Sequence, residues 1–222
     1  MNNNIIVFLY NSYNDPLSQN LVINYIKTLS DQKRYTFQLI TFEQDKYALT
    51  EKQKNVINRE LNDLSIYWFP LMFHTGNFLL IKKFYDFINL TILVFKIRFI
   101  YNSKMIISLS NVSASFAIIL AKLLNMIILI FNYEPHSLFQ GELGLWSQKS
   151  FKYKLLNKIE AYAGLQADYV LTGTNTMVKY LISMGAKGKI FKAPSCVDEK
   201  IYKFDPTARL NIRNKLGIEN KK

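Results

Sequence analysis

Short apolar runs alternate with longer amphipathic runs along most of the chain. Runs rich in Ile, Val, Phe and Tyr are typical of buried strands, whereas apolar residues at every third or fourth position indicate helices that pack one face on a sheet. This alternation predicts a Rossmann-like α/β fold with a doubly wound, mostly parallel sheet. The predicted strands are 4–10, 36–42, 66–71, 105–109, 126–131, 168–171 and 189–192.

Amphipathic segments between these strands predict the helices. They cover 18–30, 51–64, 77–101, 114–124, 151–165 and 176–184. Ser18 is a candidate N-cap of the first helix, and Gly185 is a candidate C-terminal glycine of the last. Residues 132–150 have no regular period, which predicts an irregular loop. Ligands of doubly wound sheets bind in loops beyond the carboxyl ends of the strands, so functional residues are expected there.

The segment 105–131 is strongly apolar, and Lys122 is its only charged residue. A membrane-spanning helix needs about 20 consecutive apolar residues, but serines and asparagines interrupt this segment, so the pattern favours strand, helix and strand. The N-terminus lacks the basic lead-in of a signal peptide.

The single cysteine, Cys196, cannot form an internal disulfide and has no paired histidine in view, so it is interpreted as an inert thiol. A reducing, cytoplasmic setting is predicted.

The formal charge of +12 indicates acidic partners. The lysines are scattered and no nucleic-acid-binding module is recognisable, so nucleic acid is not predicted as a partner. The helix predicted at 77–101 combines a heavy apolar load with Lys82, Lys83, Lys96 and Arg98. Two interpretations stay open for it: burial against the sheet, or peripheral contact with a membrane whose anionic headgroups attract the cations.

The last third of the chain carries a series of residues at a characteristic spacing. They are Glu160, Ala167, Asp168, Val170, Thr172, Thr174, Gly185, Lys189, Ile190, Pro194, Val197, Asp198 and Phe204. With this spacing the chain resembles a GT-B glycosyltransferase of family four. The front half is similar more loosely, through its first loop and helix and through Thr41, Phe42 and Glu43 at the end of the second predicted strand.

The resemblance implies the N-terminal half of a GT-B fold, with an acceptor-binding domain at 1–200. Residues 201–222 resemble the linker and the opening of a donor domain that the chain otherwise lacks. The implied reaction is retaining sugar transfer of the hexosyltransferase type, from a nucleotide-sugar to a glycan or lipid-linked acceptor in bacterial surface polysaccharide assembly. The donor is expected to bind mainly to the second domain, so the chain alone is expected to be inactive. No metal or other cofactor is expected, and the implied location is cytoplasmic or peripheral on the inner face of the plasma membrane.

The segment that follows the fifth predicted strand contains three candidate site residues. His136 is the candidate catalytic residue, because the family places a histidine or aspartate facing the transferred sugar and an imidazole can bond a sugar hydroxyl; the alternative is a bond to local backbone. Glu134 could bind acceptor hydroxyls or cap the next turn. Trp146 could stack on a sugar face or lipid tail, or serve only as a packing anchor. His74 has no identifiable partner in the sequence and is interpreted as structural.

Asn14, Asp15, Ser18 and Gln19 are candidate substrate-binding residues in the loop after the first predicted strand. Many relatives carry paired glycines there, which let backbone amides approach the donor diphosphate. This loop has none, so an ordinary capped loop is the alternative. Thr174 is a further candidate, although its position before a helix favours capping. The alternative function for the whole chain is a non-enzymatic Rossmann-type binding module for a glycan, a lipid headgroup or a partner protein.

Overall fold

A seven-stranded parallel sheet forms the centre of the protein. The computed structural model describes residues 3–32, 34–109, 112–132, 135–194 and 203–218. The strands are β1 (Asn4–Leu9), β2 (Thr36–Glu43), β3 (Ile66–Met72), β4 (Met105–Leu109), β5 (Ile127–Phe131), β6 (Tyr169–Thr172) and β7 (Lys189–Lys192). Their order in the sheet is β3-β2-β1-β4-β5-β6-β7, and every neighbouring pair is parallel. The order reverses between β1 and β4, as in a Rossmann-like fold.

Helices connect the strands. The first connection runs from α1 (Pro16–Ser18) through a π-helical segment (Gln19–Ile23) into α2 (Asn24–Asp31). The others are α3 (Glu51–Asp63), α4 (Leu79–Ile100), α5 (Val112–Leu123), α6 (His136–Glu142), α7 (Phe151–Gln166), α8 (Asn175–Ser183) and α9 (Pro206–Lys215), with a short 3₁₀ turn at Asp45–Tyr47. Since α4 leads from the end of β3 back to the start of β4, its N-terminal turns lie at the carboxyl edge of the sheet.

Buried apolar side chains cover both faces of the sheet, which explains why the strands are continuous apolar runs. On one face, Val7 and Leu9 pack with Val22, Ile26 and Leu61 from the connections that contain α2 and α3. On the opposite face the core brings together residues of β1, α4 and α5, namely Ile6, Phe8, Leu90, Val94, Ala117 and Ile118. The sheet therefore separates α2 and α3 from α4 and α5.

The seven predicted strands and the six predicted helices are confirmed, with ends that differ by a few residues. The apolar segment 105–131 forms β4, α5 and β5, as predicted. Within the described ranges, no helix has both the length and the apolar character needed to cross a bilayer. The prediction of an irregular loop over 132–150 was wrong in part, because α6 forms inside it. Glu134 and Cys196 lie outside the described residues, as do Val197 and Asp198.

Candidate functional site at the carboxyl edge of the sheet

The loop after β1 is held by its own side chains. Asp15 is buried; its Oδ1 accepts a hydrogen bond from the backbone N–H of Leu17 at 2.8 Å, and its Oδ2 accepts one from Asn11 Nδ2 at 3.0 Å. Asp15 is therefore the N-cap of α1 and Pro16 its first residue. The expectation that Ser18 caps this helix was wrong, because the helix begins two residues earlier.

Of the four candidates in this loop, Asn14 alone has an exposed side chain. Gln19 Nε2 donates a hydrogen bond to the backbone oxygen of Tyr13 at 2.7 Å. Ser18 is fully buried, and its hydroxyl has no hydrogen-bond partner among the described residues. The side chains of Asp15 and Gln19 therefore hold the loop together, and Asn14 is the one that faces solvent.

A cluster of polar side chains joins the ends of β1 and β3 to the first turns of α4. Asp86 is fully buried and accepts a hydrogen bond from Tyr10 Oη at 2.7 Å on Oδ2. Its Oδ1 lies 2.5 Å from His74 Nδ1. Lys83 Nζ lies 3.4 Å from Asp86 Oδ2 and donates to the backbone oxygen of His74 at 2.9 Å. We call Tyr10, His74, Lys83 and Asp86 the Asp86 cluster.

Burial determines the protonation behaviour of two members of the Asp86 cluster. Burial, with a smaller contribution from the bond and charge of Asp86, raises the pKa of Tyr10 well above its ordinary range, so the phenol remains a neutral donor. Burial also lowers the pKa of Lys83, although the charge of Asp86 opposes this. Lys83 Nζ lies 3.4 Å from the centroid of the Phe73 ring, so an aromatic face replaces some of the water around the ammonium.

Sequence reasoning missed the Asp86 cluster and left His74 without a partner. A usable signal was present, because Asp86 is the only acidic residue between Asp63 and Glu134. A lone carboxylate on a helix that packs against a sheet has to be paired if it is buried. Lys83 is three residues before it, at helical contact spacing, whereas the contacts with Tyr10 and His74 depend on the strand order.

The structure brings His136 and Trp146 together. Their rings meet edge to face with centroids 5.5 Å apart, and Lys152 Nζ lies 3.9 Å from the Trp146 ring centroid. His136 is the first residue of α6, and Glu160 Oε2 accepts hydrogen bonds from the backbone N–H and the hydroxyl of Ser137, at 2.9 and 2.6 Å. Glu160 thus satisfies a free donor at the start of α6 and fixes the position of His136.

Thr174 acts as the N-cap of α8. Its Oγ1 accepts a hydrogen bond from the backbone N–H of Met177 at 3.1 Å. This is the role that its position in the sequence favoured. Among the described residues, no three His, Cys, Asp or Glu side chains converge as they would around a metal ion.

Glu43, at the end of β2, carries a partly buried carboxylate. Its Oε1 accepts hydrogen bonds from the backbone N–H of Tyr13 at 3.0 Å and from Thr41 Oγ1 at 2.5 Å, while Oε2 has no partner among the described residues. Burial raises the pKa of Glu43, and the bonds from Thr41 and Tyr13 and the charge of Lys54 offset part of this. Ionisation of Glu43 therefore lowers the stability of the folded protein relative to the unfolded chain.

Replacing Glu43 with glutamine should make stability less dependent on pH. The folded protein holds the Glu43 proton more tightly than the unfolded chain does, so this contribution favours folding at low pH and is lost as the pH rises from about 4.5 through the raised pKa. We expect the variant to gain roughly 0.5 to 1 kcal/mol over the natural protein between pH 4 and pH 7. Urea unfolding across this range measures the difference, and the exposed Glu60→Gln is the control; parallel pH profiles for the natural protein and Glu43→Gln would contradict the assignment.

No family model and no curated protein sequence matches the chain. Solved structures do match its fold. Anabaena HepE in complex with UDP-glucose has 14% identity and a TM-score of 0.58, over 97% of this chain and 50% of HepE. A UDP-glucosyltransferase from Polygonum tinctorium has 13% identity and a TM-score of 0.56, over 88% of this chain and 53% of that one. UDP-GlcNAc 2-epimerase from Methanocaldococcus jannaschii has 10% identity and a TM-score of 0.50, over 85% and 45% of the two chains.

These matches concern the fold. The chain has the Rossmann-like α/β fold of one half of the GT-B glycosyltransferases. It spans about half the length of the solved structures it matches. The same fold occurs in an epimerase and in glucosyltransferases, so the fold alone does not show which of their reactions a protein catalyses.

Proposed function

We propose that these 222 residues form the acceptor-binding half of a retaining family-four glycosyltransferase. The reaction is transfer of a sugar from a nucleotide-sugar to a glycan or lipid-linked acceptor, in surface polysaccharide or lipid-linked glycan assembly on the cytoplasmic side of the membrane. One observation carries the proposal: nearly the whole chain matches about half of a structure that holds UDP-glucose. The spacing of Glu160, Asp168, Pro194 and Asp198 in the sequence supports the choice of family.

The region around His136 and Trp146 supplies suitable chemistry for an acceptor. The imidazole of His136 can exchange hydrogen bonds with a sugar hydroxyl, and Asn14 offers an exposed amide at the same edge of the sheet. Trp146 is partly exposed, and its indole can stack on a sugar ring either on the face away from Lys152 or after the Lys152 ammonium moves aside. Exposed apolar side chains flank this region and suit the lipid part of a lipid-linked acceptor; they are Phe139, Leu143, Leu145 and Phe151.

In this proposal the nucleotide binds to a second unit that faces this edge. Catalysis of sugar transfer depends on donors that stabilise the leaving diphosphate. The first loop has no glycine, and Asp15 and Gln19 are engaged within it, so the loop is poorly suited to wrap closely around a diphosphate. Acceptor binding and diphosphate stabilisation are therefore divided between two units, and no metal is required of this one.

We expect the purified 222-residue chain to transfer no sugar by itself. Incubation with UDP-glucose and a mixture of oligosaccharide and glycolipid acceptors should give UDP release no faster than buffer, as measured by a coupled assay and mass spectrometry. The Polygonum tinctorium UDP-glucosyltransferase, which is capable of glucosylating indoxyl, serves as the positive control with indoxyl. Sustained transfer by the chain alone contradicts the proposed division of labour.

A non-enzymatic binding module is the second candidate, and the engaged first loop is the observation that favours it. Asp15 and Gln19 bond within the loop and are not free to bind a donor. The coding DNA beyond codon 222 distinguishes the two candidates. A transferase requires a second strand-helix domain, in the same or an adjacent reading frame, with two glutamates about seven residues apart as expected from the family resemblance; unrelated DNA favours the module.

A further inference from the structure

Helix α4 is apolar on two opposite sides. Its inner side packs on the sheet through Leu90, Val94 and Ile97, which are almost fully buried. Its outer side carries large apolar side chains with exposed fractions between 39% and 74%. They are Ile81, Phe84, Tyr85, Ile88, Ile92 and Phe99, and we call them the α4 outer face.

The α4 outer face is a continuous stripe along the helix. Apart from the adjacent pair Phe84 and Tyr85, its residues follow one another at intervals of three, four and seven positions. At about 100° per residue, all six lie within about 60° of one line along the helix. The stripe runs from Ile81 to Phe99, over most of the 22 residues of α4, a length of roughly 27 Å at 1.5 Å per residue. The outer side of a surface helix is ordinarily polar, so this stripe indicates a contact with something apolar.

The charges on α4 determine which partner fits. Lys96 is exposed and lies about 60° around the helix from the centre of the stripe, while Lys82 and Arg98 lie about 100° to either side. Lys82 Nζ donates to the backbone oxygen of Thr75, and Arg98 Nη1 donates to Asn102 Oδ1 at 2.9 Å. Each of these two head groups has further N–H donors that can bond a phosphate. Asp86 is the only acidic residue of α4, and it is fully buried against the sheet. Among the residues of α4, the border of the outer face therefore carries cations and no exposed carboxylate.

We infer that α4 lies in the interface of an anionic lipid bilayer, with its outer face among the acyl chains and Lys82, Lys96 and Arg98 beside the headgroup phosphates. An apolar stripe bordered by cations is the composition of interfacial helices. A second copy of the chain fits less well, since a two-fold contact would place the same cations on both sides without a carboxylate between them. The net charge of +12 adds attraction to anionic lipid.

This placement brings the bilayer to the carboxyl edge of the sheet. The first two turns of α4 carry Lys83 and Asp86, which contact His74 and Tyr10 at the ends of β3 and β1. A lipid-linked acceptor could then reach that edge while its lipid stays in the membrane, a consequence that rests on the proposed function. Lipid binding by α4 does not depend on that function, so the two can fail separately.

Vesicle sedimentation of the purified chain tests the inference. We expect binding to vesicles of phosphatidylcholine mixed with phosphatidylglycerol, and much weaker binding to phosphatidylcholine alone. The double variant Ile88→Gln/Ile92→Gln should lose at least about tenfold in affinity, because it removes inserted apolar surface. Lys96→Gln should lose about fivefold, since one lysine near an anionic surface contributes that much.

The matched control is Leu29→Gln/Val56→Gln, which replaces exposed apolar side chains of α2 and α3 on the opposite face of the sheet. Its affinity for anionic vesicles should equal that of the natural chain. Circular dichroism should be the same for all variants. The two double variants should change the melting temperature by similar amounts, because the side chains they replace are exposed to similar extents. Absence of binding to anionic vesicles, or equal losses in the two double variants, overturns the inference; so does a dimer in solution that Ile88→Gln/Ile92→Gln dissociates, because the α4 outer face would then cover a second copy.

Discussion

Replacing Asp86 with alanine should lower the free energy of unfolding by about 3 kcal/mol. Removing one member of a buried ion pair leaves its partners without compensation, which costs about 3 to 5 kcal/mol. The lower end applies here because the side chains of His74 and Lys83 are 27% and 21% exposed and can turn partly toward water. For a chain of this size the melting temperature should fall by about 6 to 12 °C. Thermal and urea unfolding followed by circular dichroism measure both quantities.

Two further variants test whether the loss of stability comes from the contacts of the Asp86 cluster or merely from removing one carboxylate. The exposed Asp63→Ala at the end of α3 should change stability by no more than about 0.5 kcal/mol. The double variant Lys83→Met/Asp86→Ala should cost at least about 1 kcal/mol less than the sum of its single variants, because the unpaired ammonium is gone. Additive costs, or a cost for Asp86→Ala as small as that of Asp63→Ala, contradict the described pairing.

The sheet was predictable because parallel strands are buried on both faces. Such strands are continuous apolar runs, so β1, β4 and β5 are visible in the sequence without any knowledge of their neighbours. The segment 105–131 illustrates this point. Its length and apolar character alone are also compatible with a membrane span, but the polar interruptions divide it at the ends of the strands and helix.

The missed features of the site depend on contacts between segments that are distant in sequence. His74 and Asp86 meet because the end of β3 lies beside the first turns of α4, which no periodic pattern reveals. Helix α6 is short and is stabilised at its start by Glu160, which lies more than twenty residues further along the chain. The N-cap of α1, in contrast, could have been predicted from the sequence. Asp15 followed by Pro16 is a local helix-start signal, and this signal is stronger than Ser18 alone.

The exposure of α4 could not be predicted for another reason. Its sequence has large apolar residues on two opposite sides, which is compatible with burial of both. How much of it is covered depends on which helices pack beside it on that face of the sheet. The structure buries Leu90 and Val94 and leaves Ile88 and Ile92 exposed, so burial against the sheet and an outward apolar face are both present in one helix.

If the carboxyl edge of the sheet binds the acceptor, a glycan should perturb Trp146 strongly and UDP-glucose should perturb it little. The chain has two tryptophans, so nuclear magnetic resonance resolves two indole N–H signals. Trp68 is buried and donates to Thr41 Oγ1 at 2.8 Å, which makes its signal an internal reference. A glycan that stacks on Trp146 should shift that signal and leave the signal of Trp68 in place.

Replacing His136 with alanine should weaken glycan binding at least about tenfold, whereas Val56→Gln on α3 should leave glycan binding unchanged.

The decisive measurement is therefore a titration of the isotope-labelled chain with pooled oligosaccharides and glycolipid headgroups, and separately with UDP-glucose. We predict that at least one glycan pool moves the Trp146 signal to saturation, and that UDP-glucose at the same concentrations moves it little. Saturating shifts at this edge from UDP-glucose, with none from any glycan pool, would contradict the account, because the chain would then be the nucleotide-binding half.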